Sequence, residues 1–232
     1  MPSYKELKER VLDANLELMR KQLVIYTFGN VSGIDRDSGI FAIKPSGVPY
    51  RELTPDSMVL VDLDNKVVEG SLNPSSDTKT HTVLYRNFPA ISGVVHTHSP
   101  HATAWAQARK SIPCLGTTHA DFVAGPIPCT EIMSDEQIQR DYEEETGNQI
   151  LECFGELSYE ETEMVLVAGH GPFTWGKTPE KAVYNSVVLE ELAKIALYTT
   201  MINPSTQQIK DTLLAKHYYR KHGKDATYGQ ES

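Results

Sequence analysis

Cysteine is scarce in this chain, and the three that occur lack redox or metal-binding spacing. Cys114, Cys129 and Cys153 are odd in number and well separated along 232 residues. This argues against a disulfide-stapled secreted domain and against a Cys-x-x-Cys site. Free thiols are typical of a reducing compartment, so we expect the protein to be cytoplasmic.

Long apolar runs and an excess of basic residues are also missing. No stretch approaches the ~20 apolar residues that a membrane-spanning helix needs, and residues 1–6 carry no apolar signal region. The 22 Lys and Arg residues are outnumbered by 31 Asp and Glu residues, which gives a net charge of −9 at pH 7. This charge would repel a phosphate backbone. We therefore expect neither a membrane nor a nucleic acid as partner, although a local basic pocket could still take a small anion.

What is present is an ordinary globular composition, with 40% hydrophobic and 23% charged residues. A chain of 232 residues can bury a full core by itself. We expect residues 1–232 to form a single domain.

Hydrophobic periodicity predicts alternating helices and strands. Helical spacing covers residues 7–23, 134–154, 178–201 and 207–221, and shorter helices follow Asp77 and Ser99. Strands are predicted at 24–28, 40–44, 58–62, 66–69, 92–98 and 164–170, with a loop at 29–32. Asp64-Asn65 between two strands predicts an antiparallel hairpin. The pattern is typical of a three-layer α/β fold.

Three histidines stand at or near predicted strand ends. His96 and His98 alternate along one strand, so both imidazoles project from the same face. His170 ends a second apolar strand, and Asp77 adds a carboxylate. Such a set, with little further ligation available, is typical of a divalent metal site that leaves a position for substrate. An isolated His-x-His is more often a surface or core pair.

Three short polar loops have the composition of an anion site. They are Gly29-Asn30, Ser46-Gly47 and Ser75-Ser76. Glycine permits close backbone approach, serine supplies donors, and the start of a helix presents free N–H groups. Lys44 could supply the compensating charge. Each loop alone would be an ordinary turn or cap, and their convergence is not visible in the sequence.

A metal enzyme also needs groups that move protons. Asp121 lies in a polar cluster between proline-containing loops, although an isolated aspartate is by default a solvated loop residue. The tail is unusually rich in tyrosine and histidine, including His217 and Tyr228. One interpretation is a docking tail that packs on its own subunit or on a neighbour. The other is that Tyr228 or His217 closes an active site, which could belong to a neighbouring subunit.

Seven segments together resemble the class II aldolase/adducin family, over residues 7–230. They are residues 28–32, 43–48, 74–78, 94–99, 116–121, 170–173, and 221–223 together with 228–230. The resemblance implies an α/β/α domain around a central, mostly antiparallel sheet, with a tail at about 217–232 that completes an active site. It also implies cyclic homotetramers with active sites between subunits.

The resemblance further implies roles for individual residues. Zinc, one ion per subunit with Mn²⁺ or Co²⁺ as substitutes, would be held by His96, His98 and His170, with Asp77 at or beside the metal. Proton transfer on opposite faces of the substrate would fall to Asp121 and Tyr228, the latter from a neighbouring subunit. The residues implied at the substrate and its phosphate are Gly29, Asn30, Lys44, Ser46, Gly47, Ser75, Ser76 and His217.

Two features favour one branch of this family, the enzymes that invert C4 of a ketopentose 5-phosphate. The Asp77 side chain is shorter than the glutamate of related aldolases. The C-terminal tail also contains the sequence Tyr228-Gly229-Gln230. The implied reaction is a retro-aldol cleavage followed by re-addition. The alternatives are a sugar-phosphate aldolase, a non-catalytic assembly module and a purely structural zinc site. Pentose catabolism through L-arabinose or through L-ascorbate fits equally well.

Overall fold

A computed structural model describes residues 4–223 and 226 of the chain. Tyr228 lies outside the described residues. The helices are α1 (Lys5–Arg20), α2 (Thr78–Asn87), α3 (Pro100–Gln107), α4 (Thr117–Ala120), α5 (Asp135–Cys153), α6 (Pro179–Ile202) and α7 (Asp211–His222). The strands are β1 (Asn30–Asp35), β2 (Ile40–Ile43), β3 (Val59–Asp62), β4 (Val67–Glu69), β5 (Gly93–His96), β6 (Met164–Leu166) and β7 (Pro172–Gly176). In the part of the chain that the structure describes, no helix has the length and apolarity needed to cross a membrane.

The strands form one sheet in the order β4-β3-β2-β1-β5-β7-β6. Every neighbouring pair is antiparallel, which confirms the expected α/β class and its antiparallel sheet. At the centre, the register pairs Asn30 of β1 with His96 of β5, and His96 in turn with Phe173 of β7. The loop that leads into β1 and the histidine that ends β5 therefore lie at one edge of the sheet.

Alternating side chains bury the sheet on both faces. Phe41 and Val94 join a core beneath α2 and α5, whereas their chain neighbours Ala42 and Val95 join a second core beneath α1 and α6. This is the period-two alternation of a strand between two layers. A third apolar cluster lies between α3, α6 and β6. The helices thus cover both faces and leave the strand ends for the site.

Several predicted elements are confirmed with small shifts. The hairpin between β3 and β4 turns at Asn65, whose φ is 62°. α5 begins after Ser134, which forms a capping box with Gln137. α6 begins after Thr178, whose side chain accepts a hydrogen bond from the Lys181 N–H.

The strand predicted at 24–28 is wrong. Positive φ angles at Gln22 and Tyr26 turn the chain there, and the Ile25 and Tyr26 side chains are 61% and 83% exposed. An apolar run alone does not distinguish a strand from an exposed turn. β1 begins instead at Asn30, inside the segment predicted to be a loop.

The strand predicted at 164–170 is too long, and two elements have no counterpart among the predictions. β6 ends at Leu166, so His170 stands in a turn before β7. β7 begins with proline and ends with glycine, both weak strand formers, which hides it in the sequence. The one-turn helix α4 is too short for a periodic signal.

A buried asparagine fixes the start of β1. The Asn15 side-chain amide of α1 donates to the Val31 carbonyl at 3.1 Å, and its carbonyl accepts from the Val31 N–H at 2.9 Å. Val31 lies one residue before β1 starts to pair with β2. On the side of β2, the Asn15 side chain thus forms the hydrogen bonds with the Val31 backbone that a paired strand would form, next to Asn30.

Replacing Asn15 with alanine should therefore leave two backbone groups of Val31 unpaired in the core. We expect the free energy of unfolding to fall by about 2 kcal/mol, measured by urea denaturation with an unchanged slope. Asn87→Ala removes one half-exposed hydrogen bond within α2 and serves as the matched control. Equal midpoints for the two variants would contradict the role of Asn15.

Candidate metal centre and anion pocket

Three histidines meet at the edge of the sheet. β5 delivers His96 at its last position, His98 follows two residues later, and the turn between β6 and β7 delivers His170. Their potential ligand atoms all lie within 4.8 Å of one another, and the His96 and His98 Nε2 atoms are 3.0 Å apart. This is the spacing of a site in which nitrogen ligands converge on one ion.

The protonation of these histidines suits metal binding. The Nδ1 atom of His96 lies 3.0 Å from the Pro172 carbonyl oxygen, so Nδ1 carries the proton and Nε2 faces the cluster with a lone pair. Burial, reinforced by the neighbouring His96, lowers the pKa of His170 to about 3. Burial likewise lowers the pKa of His98. Neutral imidazoles are the form that ligates divalent ions, so the donor set fits a metal.

Asp77 stands beside this cluster, immediately before α2. Its Oδ2 accepts a hydrogen bond of 2.6 Å from the Asn30 side-chain amide. Burial opposes ionisation of Asp77, but its electrostatic interactions with the nearby His96 and His81 side chains and the Asn30 hydrogen bond outweigh it, so the pKa is lowered. The carboxylate is therefore ionised next to the three histidines. It is not a member of the group of ligand atoms that lie within 4.8 Å of one another.

One cavity of 630 Å³ joins the histidines to the three polar loops. The residues that line it include Gly29, Asn30, Lys44, Ser46, Gly47, Ser75, Ser76, Asp77, His96, His98 and His170. The convergence that the sequence could not show is thus present. The cavity also has lining residues that sequence reasoning missed, namely Thr27, Phe28, Pro45, Tyr142 and Glu143.

The cavity is also lined by a buried cation, Lys44. The Lys44 Nζ donates to the carbonyls of Thr27 and Pro45 at 3.3 and 3.2 Å and lies 5.0 Å from the centre of the Tyr50 ring. Burial lowers the pKa of Lys44 to about 8. A buried ammonium that is held by carbonyls favours an anion as its partner.

Glycine and asparagine shape the loop around this cation. Gly29 has φ +75°, and a Cβ there would lie 2.8 Å from the His96 carbonyl oxygen, so only glycine fits. The Asn30 amide donates to the Ser75 hydroxyl at 3.0 Å as well as to Asp77. Asn30 thereby links the anion loop to the carboxylate beside the histidines.

Asp121 and His217 do not line this cavity. They contact each other instead, with 3.0 Å between His217 Nδ1 and Asp121 Oδ1, and Arg220 and Lys221 of α7 also pair with the carboxylate. Burial raises the pKa of Asp121, but the hydrogen bonds from His217 and Arg220 outweigh this, so the pKa is lowered. The structure therefore separates Asp121 from the histidines within one chain.

A second buried polar network is also missed by sequence reasoning. The Ser32 hydroxyl lies 2.7 Å from His81 Nδ1 and 2.7 Å from the Tyr85 hydroxyl. Burial lowers the pKa of His81 to about 3, so its imidazole is neutral. Both α2 residues look like part of an ordinary helix, because nothing in the sequence shows that they face a strand serine.

Sequence and structure together place this chain, with its antiparallel sheet and three clustered histidines, in a known family. A profile of the family described as Class II Aldolase and Adducin N-terminal domain matches residues 9–197. The chain belongs to this family, and it is an enzyme with aldolase or epimerase activity.

Two curated relatives are similar to the chain over nearly its full length. The chain is 54% identical to "L-ribulose-5-phosphate 4-epimerase UlaF" of Salmonella paratyphi C (strain RKS4594) over 226 residues, which are 97% of this chain and 99% of the relative. The same identity and coverage hold for the protein of that name from Salmonella typhi.

Solved structures support the fold alone. An L-fuculose 1-phosphate aldolase superposes with a TM-score of 0.80 at 22% identity, covering 96% of this chain and 98% of the other. The L-fuculose-1-phosphate aldolase of Thermus thermophilus gives 0.64 at 24% identity, with 88% and 98% covered.

Proposed function

We propose that the protein is a zinc-dependent epimerase that interconverts L-ribulose 5-phosphate and D-xylulose 5-phosphate. One observation carries this proposal: three converging histidines share a cavity with a buried lysine and three Gly/Ser loops. That cavity suits a substrate with oxygen ligands at one end and a phosphate at the other. The names of the relatives support the pentose phosphate as substrate.

The chemistry of the substrate explains why a metal is needed. The hydrogen at C4 of this ketose is not adjacent to the carbonyl, so it cannot readily be removed as a proton. Cleavage of the C3–C4 bond gives a three-carbon enediolate and glycolaldehyde phosphate. The aldehyde rotates to present its opposite face, the bond re-forms, and C4 is inverted.

His96, His98 and His170 would hold the metal, with Asp77 at or beside it. A divalent ion there supplies Lewis-acid stabilisation of the negative charge that develops on the substrate oxygens. Zinc suits the three imidazoles, and Mn²⁺ or Co²⁺ could replace it. His96 is oriented by Pro172, and Asp77 by Asn30, so neither group has to be reorganised during the reaction.

The anion loops would hold the phosphate of the aldehyde fragment while its carbonyl end turns. Gly29 and Gly47 bring the backbone close, since both have positive φ and line the cavity. The serines at 46, 75 and 76 add hydroxyl donors, and Lys44 adds a buried positive charge. Tight retention of the phosphate with a loosely held carbonyl is what separates an epimerase from an aldolase in this scheme.

Proton transfer would use Asp121 and Tyr228, from opposite faces of the substrate. Asp121 does not line the cavity of its own chain, which favours the hypothesis that it serves the cavity of an adjacent subunit. His217, bound to Asp121, would then lie near that substrate. This arrangement requires an oligomer, and we propose a cyclic homotetramer in which each chain is one catalytic domain and the tail at about 217–232 completes a neighbouring site.

We place the enzyme in cytoplasmic pentose catabolism, of L-arabinose or of L-ascorbate, since both routes pass through this sugar phosphate. The second candidate function is a sugar-phosphate aldolase, because the family to which the chain belongs is described by its aldolases. The two functions differ in their products: an epimerase releases the re-formed pentose phosphate, whereas an aldolase releases the free aldehyde.

The test incubates the purified protein with L-ribulose 5-phosphate and follows D-xylulose 5-phosphate and glycolaldehyde phosphate separately. The epimerase forms the xylulose phosphate without free aldehyde. Accumulation of free aldehyde without the epimer would assign the protein to the aldolases. If neither product forms from zinc-loaded protein, the proposed substrate is wrong.

Asn30→Ala should expose the aldolase half-reaction. The change removes the hydrogen bonds to both Ser75 and Asp77, so the phosphate loop loosens and the aldehyde fragment escapes. We expect epimerisation to fall by about tenfold or more while free aldehyde rises, measured in the same two-product assay. Asn203→Ala, at the C-terminal end of α6 and outside the residues that line the cavity, is the control. Wild-type product ratios in Asn30→Ala would remove Asn30 from the pocket assignment.

A further inference from the structure

Helix α5 is interrupted where it passes the cavity. Asp141 has φ −162° and ψ 90°, so the helix breaks there and resumes after it. The next two residues, Tyr142 and Glu143, line the cavity that holds the three histidines. The break thus presents a short wall segment, residues 141–143, to the site.

Hydrogen bonds and an ion pair on both sides of Tyr142 hold this wall segment against α2 and the rest of α5. The Lys79 ammonium of α2 pairs with the Asp141 carboxylate, and the Thr80 hydroxyl donates to the Glu143 carbonyl at 2.6 Å. The Tyr142 carbonyl accepts from the Thr146 hydroxyl at 2.8 Å. Lys79 and Thr80 follow Asp77 closely in α2, so the wall is held in a fixed relation to that carboxylate.

Tyr142 reaches from the wall segment to one of the histidines. Its hydroxyl lies 3.3 Å from Nδ1 of His170, and the two ring centres are 6.0 Å apart. His96 makes the equivalent Nδ1 contact with the Pro172 carbonyl. His170 stands in a turn rather than in a strand, so the tyrosine supplies an anchor that the backbone there does not.

We infer that Tyr142 is a positioning residue for His170: its hydroxyl accepts from Nδ1–H, which fixes the ring plane and leaves Nε2 for a metal ion. This inference rests on the proposed metal centre and adds a residue to it. Outer partners of ligating histidines fix the tautomer and the orientation, and their loss typically weakens metal affinity by about 10- to 100-fold. Tyr142 would act on the metal site through His170 rather than on the substrate.

The test uses the full-length chain and zinc alone as the probe. Metal-free wild type and Tyr142→Phe are titrated with zinc against a chromophoric chelator. We expect the zinc dissociation constant of Tyr142→Phe to rise about 10-fold or more. Lys79→Met removes the ion pair that holds the wall segment. It should also raise the zinc dissociation constant, but by less than Tyr142→Phe does. Tyr198→Phe, a tyrosine of α6 with similar exposure, is the control and should match wild type.

A second measurement separates positioning from folding. The melting temperature of metal-free Tyr142→Phe should equal that of the metal-free wild type, because the phenyl ring is kept. If zinc affinity is unchanged while wild type binds zinc tightly, the role of Tyr142 is overturned and the metal centre stands. If affinity and metal-free melting temperature fall together, Tyr142 is only structural. If wild type itself binds no zinc, the metal centre fails and this inference fails with it.

Discussion

His96→Asn is expected to abolish zinc binding and epimerase activity together. His96 is 2% exposed, ends β5, and is the histidine whose tautomer is set by the Pro172 carbonyl. Asparagine fits the space but cannot place a nitrogen lone pair at the Nε2 position. We expect kcat/KM to fall at least about 1,000-fold, since both a ligand and the Lewis acid are lost. Zinc per chain, measured by mass spectrometry after dialysis, should fall to background.

The control for this result is His101→Asn. His101 lies in α3, three residues after His98, and pairs with Glu190 of α6 rather than with the cluster. It should keep the zinc content of the wild type. Full zinc occupancy in His96→Asn would remove His96 from the ligand set, and equal zinc loss in both variants would indicate damage to the fold rather than to a ligand.

Asp121→Asn should differ from His96→Asn in zinc content: we expect it to lose activity but to retain zinc. The carboxylate contacts His217, Arg220 and Lys221, outside the residues that line the cavity. Removal of a general acid or base costs about 100- to 10,000-fold in rate. We expect a fall in kcat of this size and zinc content equal to wild type, with a somewhat lower melting temperature because the α7 side chains lose the charge of their partner.

Mixing the two inactive variants tests where Asp121 acts. If it serves an adjacent subunit, an oligomer that contains both His96→Asn and Asp121→Asn chains will include some sites with an intact metal centre and an intact carboxylate. Co-expression with two affinity tags should then restore part of the activity. Mixed oligomers that form but stay inactive would contradict catalysis across the interface.

The types of residue at the site could be predicted from the sequence, but their arrangement in space could not. The period-two spacing of His96 and His98 is visible in the chain, and the structure places their Nε2 atoms 3.0 Å apart. The Gly/Ser loops are equally visible, but only the pairing of β1 with β5 brings one of them beside a histidine. Such convergence depends on strand order, which local patterns do not encode.

Other features lie beyond sequence reasoning for particular physical reasons. Nothing in the polar α5 segment shows that the helix breaks at Asp141, whose ion-pair partner, Lys79, lies in another helix. Asn15 looks like a surface residue of an amphipathic helix, yet it is fully buried against Val31. The exposed run at 25–28 looks like a strand because periodicity reports apolar content and not burial. Tertiary contacts decide all three cases.

The proposed epimerase requires the three-histidine metal centre for C4 inversion. The most direct test strips the metal with a chelator, returns zinc in steps, and measures the rate of D-xylulose 5-phosphate formation from L-ribulose 5-phosphate at each step. We expect no activity in the stripped protein and a rate that rises in proportion to bound zinc, saturating at one ion per chain. Full activity without metal, or saturation with zinc and no xylulose phosphate, would contradict it.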